Sequence, residues 1–301
     1  MARWPRSRPG PIPAATVIRM SDSPNRDLRD LVNPVVVVAF GGWNDAGNAA
    51  TGAIEHLGEA YQAESVYSID PDDFYDFQVN RPQVLLGDDD ERELIWPTTE
   101  IKVAALPGGR DLVLVEGLEP NLRWRQFSTL LASALTSANA RRVHLLGALL
   151  ADTPHTRPIP VSVSTGDRQL MTRLGLAPST YEGPTGIVGV LGDTLARGGI
   201  EVVSLWAAIP HYVSHPPCPK GTLAVLSQLE ELLDTSIDLG ELPELARAWE
   251  RGVDELAAED TEVAEYVTAL EQQQDATELP EASGDAIAAE FERYLRRRQG
   301  N

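Results

Sequence analysis

The sequence predicts an α/β protein with a central, mainly parallel sheet flanked by helices, followed by an acidic C-terminal helical appendage. Short apolar runs rich in β-branched residues recur without polar alternation, which is typical of strands covered on both faces. These runs alternate with segments of helical periodicity, and the loops between them are short. The clearest run is VVVVAF at 35–40, which stops at Gly41 and Gly42, two residues that permit a tight turn.

The elements of the first half follow from these signals in order. The valine run predicts a strand over 35–40, and the alanine-rich segment behind it predicts a helix that ends near residue 61. Asn44 or Asp45 is expected to cap that helix, since short polar side chains accept hydrogen bonds from its first free N–H groups. Further apolar runs predict strands at 65–69, 93–96 and 101–106, of which the last two are expected to pair in antiparallel fashion.

The second half continues the same alternation of strands and helices. Buried strands are predicted at 111–116, 143–150 and 202–207. Helices are predicted where apolar residues recur on one face, at 124–138, at 186–197 and from Pro219 onward. Asp167 is expected to cap a short helix that starts directly after it.

Composition divides the chain into three parts. Residues 1–33 are rich in Arg, Pro, Ser and Asp, and we expect them to be disordered. Residues 34–240 carry the strand and helix signals and form the α/β domain. Residues 241–301 hold about half of the net negative charge and predict amphipathic helices at 243–257, 260–273 and 285–298.

The charge balance excludes several classes of function. The chain has 301 residues, a net charge of −20 and a pI near 4.6. Nucleic acids and anionic lipid surfaces require clustered Lys and Arg, so neither is an expected partner. The single cysteine, Cys218, excludes an internal disulfide framework and a cysteine-based zinc site. The sequence has neither an apolar run of membrane-spanning length nor a signal-peptide core, so we expect a cytoplasmic protein.

The standard phosphate-binding and catalytic motifs are missing, but polar residues follow the predicted strands. Asn44 and Asp45 follow the first strand, Glu116 and Glu119 the middle one, and Asp152 and His155 the next. Because parallel strands end at one edge of the sheet, Asn44, Asp45, Glu116, Asp152 and His155 are the candidate catalytic residues of a hydrolase or phosphorylase. The alternative is that they cap helices and form loop hydrogen bonds. We expect no cofactor and no metal site.

The loop of Gly41, Gly42, Trp43, Asn44 and Asp45 also predicts a binding surface. A tryptophan between glycines and polar residues at a loop tip is typical of an anchor in a protein interface. Packing of Trp43 in the core is the alternative at this position.

Four segments stand out together between residues 34 and 235: FGGWNDAG, VLVEGLEPNLRW, YEGPTGIVGVL and SLWAAIPHYVSHPPCPKGTLAVLSQLEELL. In this order they resemble the proteasome assembly chaperone 2 family, in its actinobacterial-type branch. The resemblance implies a phosphorylase/hydrolase-like α/β fold and a tendency to self-associate or to pair with a relative. It also implies a non-enzymatic chaperone role linked to the proteasome, since eukaryotic members hold α-subunits while the 20S ring forms.

The C-terminal end of the chain departs from that pattern. Proteasome-binding members of this family often end in a hydrophobic residue, a tyrosine and one final residue. Here the last residues are Arg296-Arg297-Arg298-Gln299-Gly300-Asn301, and Tyr294 stands short of them. We therefore expect any proteasome contact to use another surface. The sequence favours a protein-binding, homo-oligomeric chaperone over an enzyme that uses the strand-end residues, which remains the alternative.

Overall fold

The elements form where apolar side chains repeat with the period of a strand or of a helix. The computed structural model describes residues 18–20, 27–86, 91–176, 178–213 and 215–278. The strands are β1 (Ile18–Met20), β2 (Val35–Gly41), β3 (Glu64–Ile69), β4 (Gln83–Leu86), β5 (Arg92–Ile95), β6 (Thr99–Leu106), β7 (Arg110–Leu118), β8 (Arg142–Ala151), β9 (Val161–Ser164) and β10 (Glu201–Pro210). The helices are α1 (Ala49–Ala60), α2 (Trp124–Ser137), α3 (Arg168–Leu174), α4 (Ile187–Arg197), α5 (Pro219–Leu233), α6 (Leu242–Glu259) and α7 (Thr261–Glu278).

Eight of these strands form one sheet in the order β1-β3-β6-β7-β2-β8-β10-β9. Parallel pairing joins β7, β2, β8 and β10, and β3 runs in the same direction, so five of the eight strands are parallel to one another. The remaining three, β1, β6 and β9, run the opposite way. The predicted fold class, a mainly parallel central sheet flanked by helices, is confirmed.

The middle of the sheet is buried on both faces because its strands are apolar at nearly every position. Along β2, the side chains of Val36, Val38 and Phe40 pack in the layer covered by α2 and α4. Val35 and Val37 pack in the opposite layer with α1 and α5. This double cover sets the positions of the strand ends from which the following loops start.

The predicted pairing of residues 93–96 with 101–106 is wrong. β5 pairs with β4, a strand that the sequence did not predict, and the two form a separate hairpin. β6 lies in the main sheet between β3 and β7. The physical reason is burial: Ile101 and Val103 enter the core, whereas all eight residues of the hairpin are exposed.

The segment before β2 is ordered where the structure describes it. β1 pairs with β3, and Leu28 and Leu31 are buried in the core. The Val32 N–H donates to the Asp111 carboxylate (2.7 Å), and the Asp111 N–H donates to the Val32 carbonyl (3.0 Å). The predicted disorder is therefore wrong for 18–20 and for 27–33, because strand pairing, two buried leucines and these hydrogen bonds hold the chain. Residues 1–17 and 21–26 lie outside the described residues.

Helices α6 and α7 confirm the amphipathic helices predicted at 243–257 and 260–273. α6 lies against α5 and buries Leu242, Ala246 and Val253, and α7 lies against α6. The helix predicted at 285–298 lies outside the described residues, and a division of the chain at residue 240 stays a prediction.

Candidate functional site

The loops after β2, β7, β8 and β10 share one edge of the sheet. Gly41 at the end of β2 is paired with Leu118 at the end of β7, and Pro210 at the end of β10 is paired with Ala151 at the end of β8. Ligands bind at this carboxyl edge in open α/β sheets. Four of the five candidate catalytic residues lie in its loops, and Glu116 lies within β7.

Asn44 is buried and ties the first loop to its neighbours. Its side-chain Nδ2 donates to Glu119 Oε1 (2.8 Å), and its backbone carbonyl accepts a hydrogen bond from the Ala148 N–H (2.8 Å). The same Glu119 oxygen accepts from the Ile187 N–H at the start of α4 (2.7 Å). Free N–H groups and the helix dipole stabilise a carboxylate at such a helix start. Glu119 therefore occupies the position that an anionic ligand would otherwise take at α4.

Gly186 permits this close approach of the loop to α4. A Cβ atom at residue 186 would lie 2.2 Å from Asn44 Oδ1 and 2.6 Å from Glu119 Oε1. Asn44 Oδ1 is buried and has no hydrogen-bond partner among the described residues. Protein atoms thus fill the space between the first loop and the helix.

Asp45 is buried and serves the helix behind it. Its carboxylate accepts hydrogen bonds from the Ala50 N–H (2.7 Å), from the Thr51 N–H (3.2 Å) and from the Thr51 hydroxyl. Burial raises the pKa of this carboxyl, and the hydrogen bonds from Thr51 and Ala50 act in the opposite direction. The predicted cap of α1 is confirmed for Asp45, although Asn48 holds the N-cap position itself.

Glu116 and Asp152 each have partners of their own. Glu116 forms an ion pair with Lys102 on the neighbouring strand β6. Asp152 Oδ1 lies 3.4 Å from His211 Nδ1 and accepts a hydrogen bond from the Tyr266 hydroxyl of α7 (3.2 Å). These contacts place the two carboxylates in different environments.

His155 is the centre of a second polar cluster. Its buried ring places Nε2 3.0 Å from Asp254 Oδ1 on α6 and Nδ1 2.8 Å from the Tyr212 hydroxyl. In the tautomer whose Nε2 donates to the carboxylate, Nδ1 accepts a hydrogen bond from the Tyr212 hydroxyl. Burial raises the pKa of Tyr212 to about 12, so its hydroxyl is protonated near neutral pH. The cluster joins α6 to the loop after β8.

The structure does not combine the five candidates in one cleft, because their side chains bond to separate partners. In the part of the chain that the structure describes, no three His, Cys, Asp or Glu side chains are placed to hold a metal ion. Sequence reasoning missed Tyr212 and Asp254. Asp254 lies 99 residues from His155, in a helix whose sequence indicates an acidic surface element. No pattern of neighbouring residues could therefore predict the contact between these two side chains.

Arg157 fastens α7 to the same edge. Its guanidinium donates two hydrogen bonds to the Asp275 carboxylate (2.8 and 2.9 Å) and a third to Glu271 (3.3 Å). Thr156 also donates to Glu271. Acidic residues of α7 therefore serve as docking contacts and not only as a solvated face.

Replacing Arg157 by alanine is expected to loosen α7. Loss of this bidentate pair removes the charged contact that fastens α7, so the amides of α7 should exchange several-fold faster. Hydrogen–deuterium exchange with mass spectrometry measures this, with α1 as the internal reference. The control is Arg197→Ala, which removes an exposed ion pair with Asp193 and should leave α7 unchanged. Equal exchange of α7 in both variants would contradict the role of Arg157.

Large apolar side chains are exposed along the carboxyl edge. The strand-end patch consists of six residues in the loops and strand ends of this edge: Trp43, Leu118, Leu122, Leu149, Leu150 and Tyr181. The hairpin patch consists of seven residues on β4, on β5 and beside them: Val79, Val84, Leu85, Leu86, Leu94, Ile95 and Trp96. The hairpin leaves the sheet at the same edge, since Thr99 directly behind it pairs with Gly117 near the end of β7. Exposed apolar patches of this extent mark interaction sites.

A model of the PAC2 family matches residues 39–257. The chain belongs to the PAC2 family. This membership confirms the resemblance carried by the four sequence segments. The crystal structure of a PAC2 family protein from Streptomyces avermitilis is 54% identical, with a TM-score of 0.74, and the match covers 78% of this chain and 99% of that one. The crystal structure of a proteasome-assembly chaperone homologue from Mycobacterium tuberculosis is 50% identical, with a TM-score of 0.71. This match covers 77% of the present chain and 99% of the homologue.

More distant structures share the fold alone. PbaB of Pyrococcus furiosus, an archaeal proteasome activator, is 19% identical over 79% of this chain and 97% of its own, with a TM-score of 0.60. Among curated proteins, none matches this chain. Within the described ranges, no helix has the length and apolar character needed to cross a membrane.

Proposed function

We propose that this PAC2 protein is a non-enzymatic, chaperone-like binding protein that acts in the assembly or regulation of the 20S proteasome. The observation that carries the proposal is an exposed apolar edge on a chain that is 50% identical to a proteasome-assembly chaperone homologue. The proposed partner is a proteasome α-subunit, and the proposed setting is the cytoplasm, where the protein acts as a homo-oligomer.

The loop from Gly41 to Asp45 is the proposed centre of the binding surface. Asn44 and Asp45 are buried and hydrogen-bonded, so the loop is held in one conformation. Trp43 between them and the glycines is 65% exposed. A large aromatic side chain on a rigid loop binds with little loss of conformational entropy, and tryptophan is enriched among the residues that dominate interface energies.

The geometry of the carboxyl edge gives the alternative, an enzyme, less support. Catalysis at this edge needs an open site with at least two titratable groups in reach of one substrate. Glu119 fills the start of α4, and His155 is bonded on both ring nitrogens. These contacts support a role for the polar residues in shaping the edge, with the apolar residues as its contact surface.

Affinity purification of the tagged full chain from native lysate, with quantitative mass spectrometry, tests the proposal. We expect the wild type to recover α-subunits and Trp43→Ala to recover at least tenfold less, since loss of a central aromatic residue costs about 2 kcal/mol or more. Leu256→Ala on α6 is the matched control, because Leu256 is also 65% exposed and does not belong to the strand-end patch.

Two results would overturn this function. One is a wild-type protein that recovers no α-subunits. The other is an equal loss of recovery in the Trp43 and Leu256 variants at unchanged melting temperature, which would remove the strand-end loop from the interface.

A further inference from the structure

We propose that the hairpin patch is the surface through which two copies of this chain associate, with the hairpin of one copy against the hairpin of the other. The inference deepens the proposed function and rests on it in one respect, the homo-oligomeric state. It adds the surface and the partner of that contact: β4, β5 and the residues beside them, facing the same residues of a second copy.

The hairpin lacks the polar face that an antiparallel sheet normally turns to water. Val84 is paired with Leu94, and Leu86 with Arg92, so Val84, Leu86 and Leu94 share one face. On the other face, Leu85 and Ile95 lie beside Gln83 and Glu93. Large aliphatic side chains therefore project from both faces of the same two strands.

No described part of the chain covers the hairpin. β4 and β5 pair only with each other, and the seven side chains of the hairpin patch are between 41% and 68% exposed. Trp96 at the base packs edge-on against Phe77, with the ring centroids 4.8 Å apart, and anchors the hairpin to the domain. A two-stranded hairpin alone in water is marginally stable, and its free apolar edges promote association.

The exposed area matches what a homodimer requires. Seven large side chains that are each about half exposed present on the order of 700 Å² per copy, or about 1,400 Å² when two copies bury the same patch, and standard interfaces bury roughly 1,200–2,000 Å². Interfaces between identical subunits are also more apolar than transient ones. A surface of aliphatic residues on both faces of the hairpin thus fits a lasting contact between copies better than a client that must be released.

The charge of the chain opposes contact between copies, and the two strands of the hairpin are the part of this segment without a net charge. The whole chain carries a net charge of −20, so two copies repel each other over most of their surface. The charged residues on the two strands are Arg92 and Glu93, which cancel, but Asp88, Asp89, Asp90 and Glu91 join the strands in the sequence. The apolar contact between two copies therefore has to outweigh a charge repulsion that salt screens.

Sedimentation of the full chain in the analytical ultracentrifuge tests the inference. We expect the wild type to sediment at a multiple of the 32.7 kDa chain mass. Leu94→Asp, which buries an unpaired charge, should weaken association about 100-fold or more and shift the mass toward one chain. Leu245→Asp on α6 is the matched control, since Leu245 is 53% and Leu94 48% exposed. The melting temperatures of both variants report on folding.

Site-specific cross-linking gives a second readout that does not depend on destabilising the hairpin. Cys218, the one cysteine of the chain, is buried, and burial raises the pKa of its thiol to about 11, so it does not compete for oxidation. Val84→Cys, Leu86→Cys and Leu94→Cys should give a disulfide-linked dimer on oxidation in at least one case, and Leu245→Cys should not.

Three results would overturn the inference: a wild type that sediments as one chain, a Leu94→Asp variant with the mass of the wild type, or hairpin cysteines that cross-link no more than Leu245→Cys. The outcome is separable from that of the proteasome assay. A hairpin-linked oligomer that recovers no α-subunits contradicts the chaperone function alone. A single-chain protein that recovers α-subunits contradicts the hairpin contact alone.

Discussion

Gly186→Ala is expected to lower the free energy of unfolding by about 3 kcal/mol, through overpacking and loss of a helix cap. The added methyl group would lie 2.2 Å from Asn44 Oδ1 and 2.6 Å from Glu119 Oε1. Neither side chain can simply swing away, because Asn44 is buried and Glu119 bonds the first N–H of α4. The backbone of residue 186 is extended (φ −93°), so the effect comes from contact and not from backbone strain. Urea unfolding at equilibrium measures it.

Two further variants isolate the contact that Gly186 permits. Gly166→Ala is the control for loss of a loop glycine, because a Cβ atom there meets nothing within 4 Å, and it should be nearly neutral. In the Asn44→Ala background, Gly186→Ala should cost less than in the wild type, since the atom it strikes is gone. Two results would contradict this explanation. One is a loss of unfolding free energy in Gly186→Ala no larger than that in Gly166→Ala, and the other is the same loss for Gly186→Ala in the wild-type and Asn44→Ala backgrounds.

The sequence predicted those elements whose signal is local. The run at 35–40 has no polar position and is short and rich in valine, which is typical of a strand covered on both faces. Asp167 accepts hydrogen bonds from the N–H groups of Gln169 (2.7 Å) and Leu170 (3.1 Å), so its predicted capping role is confirmed. The pairing of 93–96 with 101–106 failed because apolar content does not distinguish a strand buried in the sheet from one exposed on a hairpin.

The sequence could predict at which edge of the sheet the candidate residues lie, but not which side chains they contact there. Strand ends converge on one edge in any parallel sheet, so the positions of Asn44, Asp45 and His155 follow from the fold class. Their partners do not, because they depend on tertiary packing: Glu119 reaches α4, and Asp254 arrives on a helix far along the chain. The sequence allowed Trp43 to be either exposed or packed in the core. In the structure Trp43 is exposed, whereas its neighbours Asn44 and Asp45 are buried.

The contacts of the carboxyl edge have a common consequence for function. Glu119 occupies the helix start that would bind an anion, Asp45 caps α1, and His155 joins α6 to the edge. Polar groups that serve a ligand in an enzyme of this fold type are here bonded within the chain, and bonds of that kind make the loops rigid. Rigid loops that carry exposed apolar residues suit recognition of another protein surface.

Acidification is expected to destabilise the fold through His144. Its ring is buried in β8, and Nδ1 lies 3.1 Å from the Val36 carbonyl, to which it donates. Burial lowers the pKa of His144 to about 4, and the nearby Arg142 adds to this, while the bond to Val36 opposes it. The unfolded chain titrates near the ordinary value of 6.5. Between these values the unfolded state binds the proton and the folded state does not.

The contribution of His144 is therefore fully present above about pH 6.5 and is lost progressively as the pH falls towards about 4. At about 1.4 kcal/mol per pH unit, the loss reaches about 2 kcal/mol at pH 5. Urea unfolding of the wild type and of His144→Gln at pH 7 and pH 5 measures it as the difference between their two pH dependences, which cancels the titration of other groups. His215→Gln, in an exposed loop, should retain the full wild-type dependence. Equal losses of stability in the wild type and in His144→Gln would show that the proton does not bind at this residue on unfolding.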